Sequence, residues 1–132
     1  MLFMSLSGCA WFALRDVSKA EVGTTSLNLN RQNLGVIPDR VFELENLEEL
    51  RLFETSLTEI SPRIAELKNL RKLYIGRNNL TDLPEEIGEL ENLEELFIHF
   101  NDLDSLPRSI GKLKNLNIMR TFFSNIGLIR LK

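Results

Sequence analysis

The 132-residue sequence predicts an α/β solenoid: a curved stack of short units with a parallel inner sheet and short helical or 3-10 segments on its convex side. Three observations predict it. Apolar residues recur with a period of 23, without insertion, from Leu27 onward. Each period divides into a half that alternates apolar and polar residues and a half with helix-like apolar spacing. A proline stands near the start of the second half in four successive periods, as Pro38, Pro62, Pro84 and Pro107.

The columns are in phase. One runs Leu27, Leu50, Leu73, Leu96, Met119, and the next Leu29, Leu52, Ile75, Ile98, breaking at Thr121. Others run Leu34, Leu57, Leu80, Leu103, Ile126, then Ile37, Ile60, Leu83, Leu106, Ile129, with Val41, Ile64, Ile87, Ile110 and Leu44, Leu67, Leu90, Leu113 completing the set. Units therefore begin at 24, 47, 70, 93 and 116, the last incomplete, and two regions follow: an N-terminal segment, 1–23, and the repeats, 24–132.

Within a unit, Leu70-Arg-Lys-Leu-Tyr-Ile75 has the period of a short strand, with leucines inward and Arg71, Lys72 and Tyr74 outward. Strands are expected to centre on Leu27–Leu29, Leu50–Leu52, Leu73–Ile75 and Leu96–Ile98, with a weaker fifth near Met119. Leu83-Pro-Glu-Glu-Ile-Gly-Glu-Leu90 reads as a helical turn. Pro84 is placed at its first helical position, where a missing N–H costs nothing, and Glu85 and Glu86 face the positive end of the turn's dipole. No such unit buries its apolar edge alone, so neighbours must stack, and the bulkier outer half curves the stack.

The motif resembles the leucine-rich-repeat family, whose strand half runs Leu-x-x-Leu-x-Leu-x-x-Asn-x-Leu. Here it reads Leu70-x-x-Leu73-x-Ile75-x-x-Asn78-x-Leu80 and Leu93-x-x-Leu96-x-Ile98-x-x-Asn101-x-Leu103. The second half is similar to bacterial members with 23-residue repeats. The resemblance implies that Asn78 and Asn101 form a ladder satisfying buried backbone groups. Gln32, Thr55 and Ser124 depart from that column, so the ladder is expected to weaken at both ends. A more regular column, Asn46, Asn69, Asn92 and Asn115, precedes each strand and reads as structural.

Before Thr24 the repeat stops. Trp11, Phe12, Leu14, Val17 and Ala20 form a helical apolar stripe suited to capping the first unit. Leu6-Ser-Gly-Cys9, after an apolar run, resembles the lipobox of bacterial lipoproteins, which implies Cys9 as a lipid attachment site and a cell-envelope or surface location. Eight residues precede Cys9 and none is basic, so that reading needs a natural start further upstream. The other reading is a small buried cysteine in the cap of a cytoplasmic protein. At the far end the fifth unit degenerates through Thr121, Phe122 and Phe123. A monomer is expected, with end-to-end association open to its uncapped edge.

Composition excludes several functions. Hydrophobic residues at 43% and charged residues at 27% suit a packed domain rather than disorder. The net charge of −3 argues against a nucleic-acid partner. One cysteine allows no internal disulfide, and with a single histidine no His/Cys metal cluster forms. Met1–Leu14, the longest uncharged stretch, falls short of the roughly 20 residues of a membrane span. Gly76, Gly88 and Gly111 are isolated, so no phosphate loop is built and no cofactor is expected.

The outward strand positions carry the candidate site. Their columns are Asn28, Arg51, Tyr74, Phe97, Arg120; Asn30, Phe53, Gly76, His99, Phe122; and Arg31, Glu54, Arg77, Phe100, Phe123. Seven of the fifteen are aromatic or histidine, and strands about 4.8 Å apart would merge Phe53, Tyr74, Phe97, His99, Phe100 and Phe122 into one patch. A non-catalytic face binding a protein partner is the function predicted, through Arg51, Phe53, Tyr74, Arg77, Phe97, His99, Phe100, Arg120 and Phe122, with the arginines as a rim. Shielding of the C-terminal end by Phe100, Phe122 and Phe123 is the plainer reading. The alternatives in function are a cytoplasmic scaffold and a substrate-recognition fragment of a larger effector enzyme. The columns Glu49, Lys72, Glu95 and Glu48, Arg71, Glu94 read as a charge ladder setting register, since no nucleophile or activating base accompanies the carboxylates.

Overall fold

The computed structural model describes residues 16–121 and 130–131. Five strands, β1 (Ser26–Asn28), β2 (Glu49–Arg51), β3 (Lys72–Tyr74), β4 (Glu95–Phe97) and β6 (Ile118–Arg120), form one parallel sheet in the order β1-β2-β3-β4-β6. Its register is the sequence period: Leu27 faces Leu50, Leu50 faces Leu73, Leu73 faces Leu96, and Leu96 faces Met119. Each strand begins one residue earlier than the alternation centred it. The ladder nevertheless continues past the strand ends, where the amides of Leu29, Leu52, Ile75 and Ile98 donate to the carbonyls of Arg51, Tyr74, Phe97 and Arg120 at 2.7–3.0 Å.

The inward leucines of β1 to β4 are fully buried, and with the second-half residues Val41, Ile64 and Ile87 they make one continuous core. Met119 departs from its column and stays 39% exposed, because among the described residues β6 is the last strand of the sheet and has a neighbour on one side only. Val17, in a 3-10 turn at Val17–Lys19, and buried Ala20 pack against the core. Trp11, Phe12, Leu14 and Cys9 lie outside the described residues.

The convex side is built from α1 (Asp39–Phe42) and three 3-10 turns, Pro62–Glu66, Glu85–Glu89 and Arg108–Lys112. In a 3-10 turn residues three apart eclipse, so Ile64 and Leu67, or Ile87 and Leu90, point inward together. Pro84 does not take the first helical position. It, Pro38 and Pro107 stand just outside the turn as the capping residue, with extended ψ of 150°, 138° and 146°. A proline favours that conformation and lacks the amide that the flanking residue does not need. Pro62 alone enters its turn, behind a Ser61 side chain that accepts from the Arg63 amide.

Both asparagine columns are backbone staples. Buried Asn78 donates through Nδ2 to the Leu52 carbonyl at 2.8 Å and the Ile75 carbonyl at 3.0 Å, and its Oδ1 accepts from the Thr55 and Leu57 amides. Asn101 repeats the pattern against Ile75, Ile98 and Leu80. Thr55 continues this ladder instead of interrupting it: fully buried, it donates its hydroxyl to the Leu52 carbonyl at 2.9 Å. Asn46, Asn69, Asn92 and Asn115 each donate to a carbonyl 24 residues earlier, all at 2.8 Å. The charge ladder forms in part. Arg71 bonds Glu94 and Lys72 reaches Glu95 at 3.4 Å, but Glu49 turns to Arg51 on its own strand.

Beyond the main sheet, β5 (Ser105–Leu106) pairs with β7 (Arg130–Leu131). The repeat places Ile129 beside Leu106, yet Leu131 stands there.

Candidate functional site on the concave strand face

Outward residues of the sheet are free of the core because every neighbour along the strand already points inward. On β3 and β4 that places Tyr74 directly beside Phe97 in register. Their rings stack with centroids 4.7 Å apart and an interplanar angle of 24°. His99, two residues past Phe97, meets Phe53 at 5.9 Å, Phe97 at 6.4 Å and Phe100 at 5.3 Å. Phe53, Tyr74 and Phe97 are half-buried, and Phe100 is 50% exposed. The rings thus form one contiguous surface, continuous from the second repeat to the fourth. Phe122, expected to extend it, lies outside the described residues.

The arginines are not a rim. Each guanidinium lies over a ring: Arg51 over Tyr74 at 5.1 Å, Arg77 over Phe53 at 5.7 Å and Phe100 at 5.1 Å, and Arg120 over Phe97 at 5.5 Å. Aromatic faces carry a negative quadrupole, so cations settle across them rather than beside them. The face is therefore a mixed cationic and aromatic surface.

Two groups on it are electrostatically displaced. Burial, reinforced by a hydrogen bond from its hydroxyl to Glu95 at 3.0 Å, pushes the Tyr74 phenol up to about 12. Burial, then the charges of Arg120 and Arg77, holds the His99 imidazole below its ordinary value of 6.5. Its Nδ1 is buried without a hydrogen-bond partner among the described residues. Space for the ring comes from Gly76, where a Cβ would stand 2.8 Å from His99 Cε1.

Alternation placed Glu95 and Glu54 in outward columns but did not reveal what they do there. Glu95 and Glu54 organise the face: Glu54 sits between Arg31 at 3.1 Å and Arg77 at 3.3 Å. Arg31, Glu54, Arg77 and Phe100 share a left-handed backbone, with φ of 61°, 56°, 53° and 55°. That column turns the chain out of each strand and swings Arg77 and Phe100 back beside His99. No glycine or asparagine marks it, so the sequence carried no signal.

A second concavity, about 350 Å³, lies along the flank between Glu48, Asn69, Arg71, Asn92, Glu94 and Asn115. Its asparagine donors are engaged with backbone carbonyls and its arginine lies between two glutamates. These groups hold repeats together.

Residues 25–124 match the family model described as a leucine-rich repeat region. The chain belongs to the leucine-rich-repeat family. Solved structures agree with the leucine-rich-repeat fold. A leucine-rich-repeat protein of Leptospira interrogans is similar at 42% identity and a TM-score of 0.68, over 76% of this chain and 25% of that one. The plant peptide hormone receptor RGFR1, in complex with RGF2, is similar at 41% identity and a TM-score of 0.62, over 72% of this chain and 16% of the receptor. Internalin C2 of Listeria monocytogenes, at 21% identity and a TM-score of 0.62 over 74% of this chain and 42% of its own, shares the fold. This leucine-rich-repeat chain thus spans less than half the length of each. No curated protein matches it.

Proposed function

We propose that this leucine-rich-repeat chain is a non-catalytic protein-binding module whose partner docks on the aromatic concave face. The observation that carries the reading is the ring cluster itself: Tyr74 stacked on Phe97, with His99 and exposed Phe100 adjoining, on the side of the sheet away from the core. Rings gathered there contribute nothing to the leucine core, and interface anchors are enriched in aromatics and arginine. A similar receptor solved in complex with RGF2 supports a protein or peptide partner.

The test compares proteins retained from an extract by the unaltered chain and by the Tyr74→Ala/Phe97→Ala variant, with Glu66→Ala on the convex side as control. Specific partners should be lost from the aromatic variant alone, while its far-UV spectrum and melt remain close to those of the unaltered chain. Retention by all three would place the site elsewhere. Loss in proportion to stability would make the rings packing elements.

We further propose export, on the motif Leu6-Ser-Gly-Cys9. Expressed from an upstream start in a bacterial host, the protein should label with radioactive palmitate and Cys9→Ala should abolish the label. An unlabelled parent protein would refute export by this route.

A further inference from the structure

Charge on the concave face runs against the charge of the whole chain. Outward positions of the described strands and the turns that follow them hold five bases, Arg31, Arg51, Lys72, Arg77 and Arg120, against the carboxylates Glu49, Glu54 and Glu95. The full sequence is net −3. The three carboxylates are also engaged: Glu49 with Arg51, Glu54 between Arg31 and Arg77, Glu95 with Lys72 and the Tyr74 hydroxyl. Arg120 has no carboxylate within ion-pair distance among the described residues, and its guanidinium lies across the Phe97 ring. Positive charge is therefore left over at one corner, where the fourth and fifth repeats meet.

His99 stands in that corner. Phe53 approaches it from the second repeat, Gly76 and Arg77 from the third, Phe97 and Phe100 from its own, and Arg120 from the fifth. Glu54 reaches the corner only through Arg77. Two guanidinium groups thus act on one imidazole whose Nδ1 is buried and has no hydrogen-bond partner among the described residues. An anion placed in this corner would pair with Arg120, which has no carboxylate of its own among the described residues, with Arg77 shared between it and Glu54, and low-dielectric ring surfaces on either side would strengthen the attraction.

We propose that the corner formed by Arg77, His99 and Arg120 receives a carboxylate side chain of an acidic peptide segment, whose neighbouring apolar residue lies on Phe97 and Phe100. This rests on the concave-face reading and adds the chemistry of the partner. The charge surplus selects an acid, and the flanking rings select an acid with an apolar neighbour rather than a free anion. Burial first, and then the arginine charges, disfavour the imidazolium; a bound carboxylate would offset the arginine charges and favour it directly, so docking should draw a proton onto the imidazole. Affinity should then strengthen as pH falls from neutral.

Linear peptides selected from a display library on the full chain test this directly. Enriched sequences should place Asp or Glu beside an aromatic or branched aliphatic residue. Exchanging that acid for its amide, or Arg120→Gln in the protein, should each weaken binding roughly tenfold or more, and both together little further, because one contact is being removed twice. The chain has one histidine, so its imidazole resonances report only His99, and their titration midpoint should rise on binding. Peptides that lose affinity with Phe97→Ala but ignore both the acid exchange and Arg120→Gln would overturn the carboxylate site and leave the aromatic face standing. Peptides indifferent to all three changes would overturn both readings. Enrichment of neutral or basic sequences, or no enrichment at all, would overturn the proposal.

Discussion

His99 occupies the space that a side chain at position 76 would fill: a Cβ on Gly76 would meet the imidazole Cε1 at 2.8 Å. The ring lies over the neighbouring strand because that strand offers bare backbone there, and the aromatic surface closes around it.

Gly76→Ala should therefore displace the ring without collapsing the core, since the clashing atoms belong to a side chain that can rotate outward. The folded state holds His99 neutral, whereas the unfolded chain takes up a proton as pH falls below about 6.5. The contribution from that difference is complete above 6.5 and is lost as pH falls through the lower folded value. With the ring pushed into solvent, the difference shrinks. Thermal melts on both sides of pH 6.5 should show a smaller acid-side loss for Gly76→Ala than for the parent. An unchanged pH dependence would mean the ring had not moved.

Asn78→Ala should be among the most damaging single substitutions. It orphans the amides of Thr55 and Leu57 inside the stack, and it takes one of two donors from the carbonyls of Leu52 and Ile75, which keep the Thr55 hydroxyl and Asn101. Each unsatisfied buried group costs about 1–3 kcal/mol, so a total of about 3 kcal/mol or more is expected from denaturant unfolding. Thr55→Ala removes one hydroxyl and keeps its amide bonded to Asn78. About 1 kcal/mol is expected there. Equal losses at the two positions would show that the ladder is not centred on asparagine.

These cases show what was legible. The leucine columns, the Asn92 column and the strand register follow from the period, because one backbone geometry repeats every 23 residues and the same residue types recur with it. The left-handed turn at Arg31, Glu54, Arg77 and Phe100 was hidden, since stacking of repeats imposes it on residues with no preference for it. The rings of Phe53, Tyr74 and Phe97 could be placed on one face from alternation alone. That arginines lie across those rings depends on choices among long, flexible side chains, which strand spacing does not decide. The slip of β7 against β5 depends on a chain segment where the period has already decayed.

Gly88 and Gly111 hold equivalent places in successive turns, and the structure separates them. A Cβ at Gly88 would lie 2.4 Å from the Ser109 Cβ and 2.5 Å from its carbonyl oxygen, whereas one at Gly111 meets nothing within 4 Å among the described residues. Gly88→Ala must push the following turn away and should cost about 1–3 kcal/mol. Gly111→Ala should be neutral or stabilise by up to about 1 kcal/mol, by restricting the unfolded chain. Paired denaturant titrations decide it, and similar effects at both sites would mean that the turns of the third and fourth complete repeats are not in close contact.

Tyr74 is the chain's only tyrosine, so tyrosinate absorbance reads this one residue. Its phenol should titrate at about 12 instead of the ordinary 10.0. Burial against Phe97 disfavours the anion first, and the hydroxyl's hydrogen bond to Glu95, together with that carboxylate's charge, disfavours it further. Because the folded state keeps a proton that the unfolded chain releases, this contribution to stability is complete below about 10 and is lost as pH rises toward about 12. Glu95→Gln should lower the midpoint only part of the way, since burial remains, and Phe97→Ala should lower it by uncovering the ring. A midpoint near 10 in a chain whose circular dichroism is still native would show that Tyr74 is solvated. The 4.7 Å stack would then not persist in solution, and the concave face would lose its central anchor. A peptide that covers Tyr74 should move the midpoint the other way, above its free value, because docking removes what water still reaches the phenol.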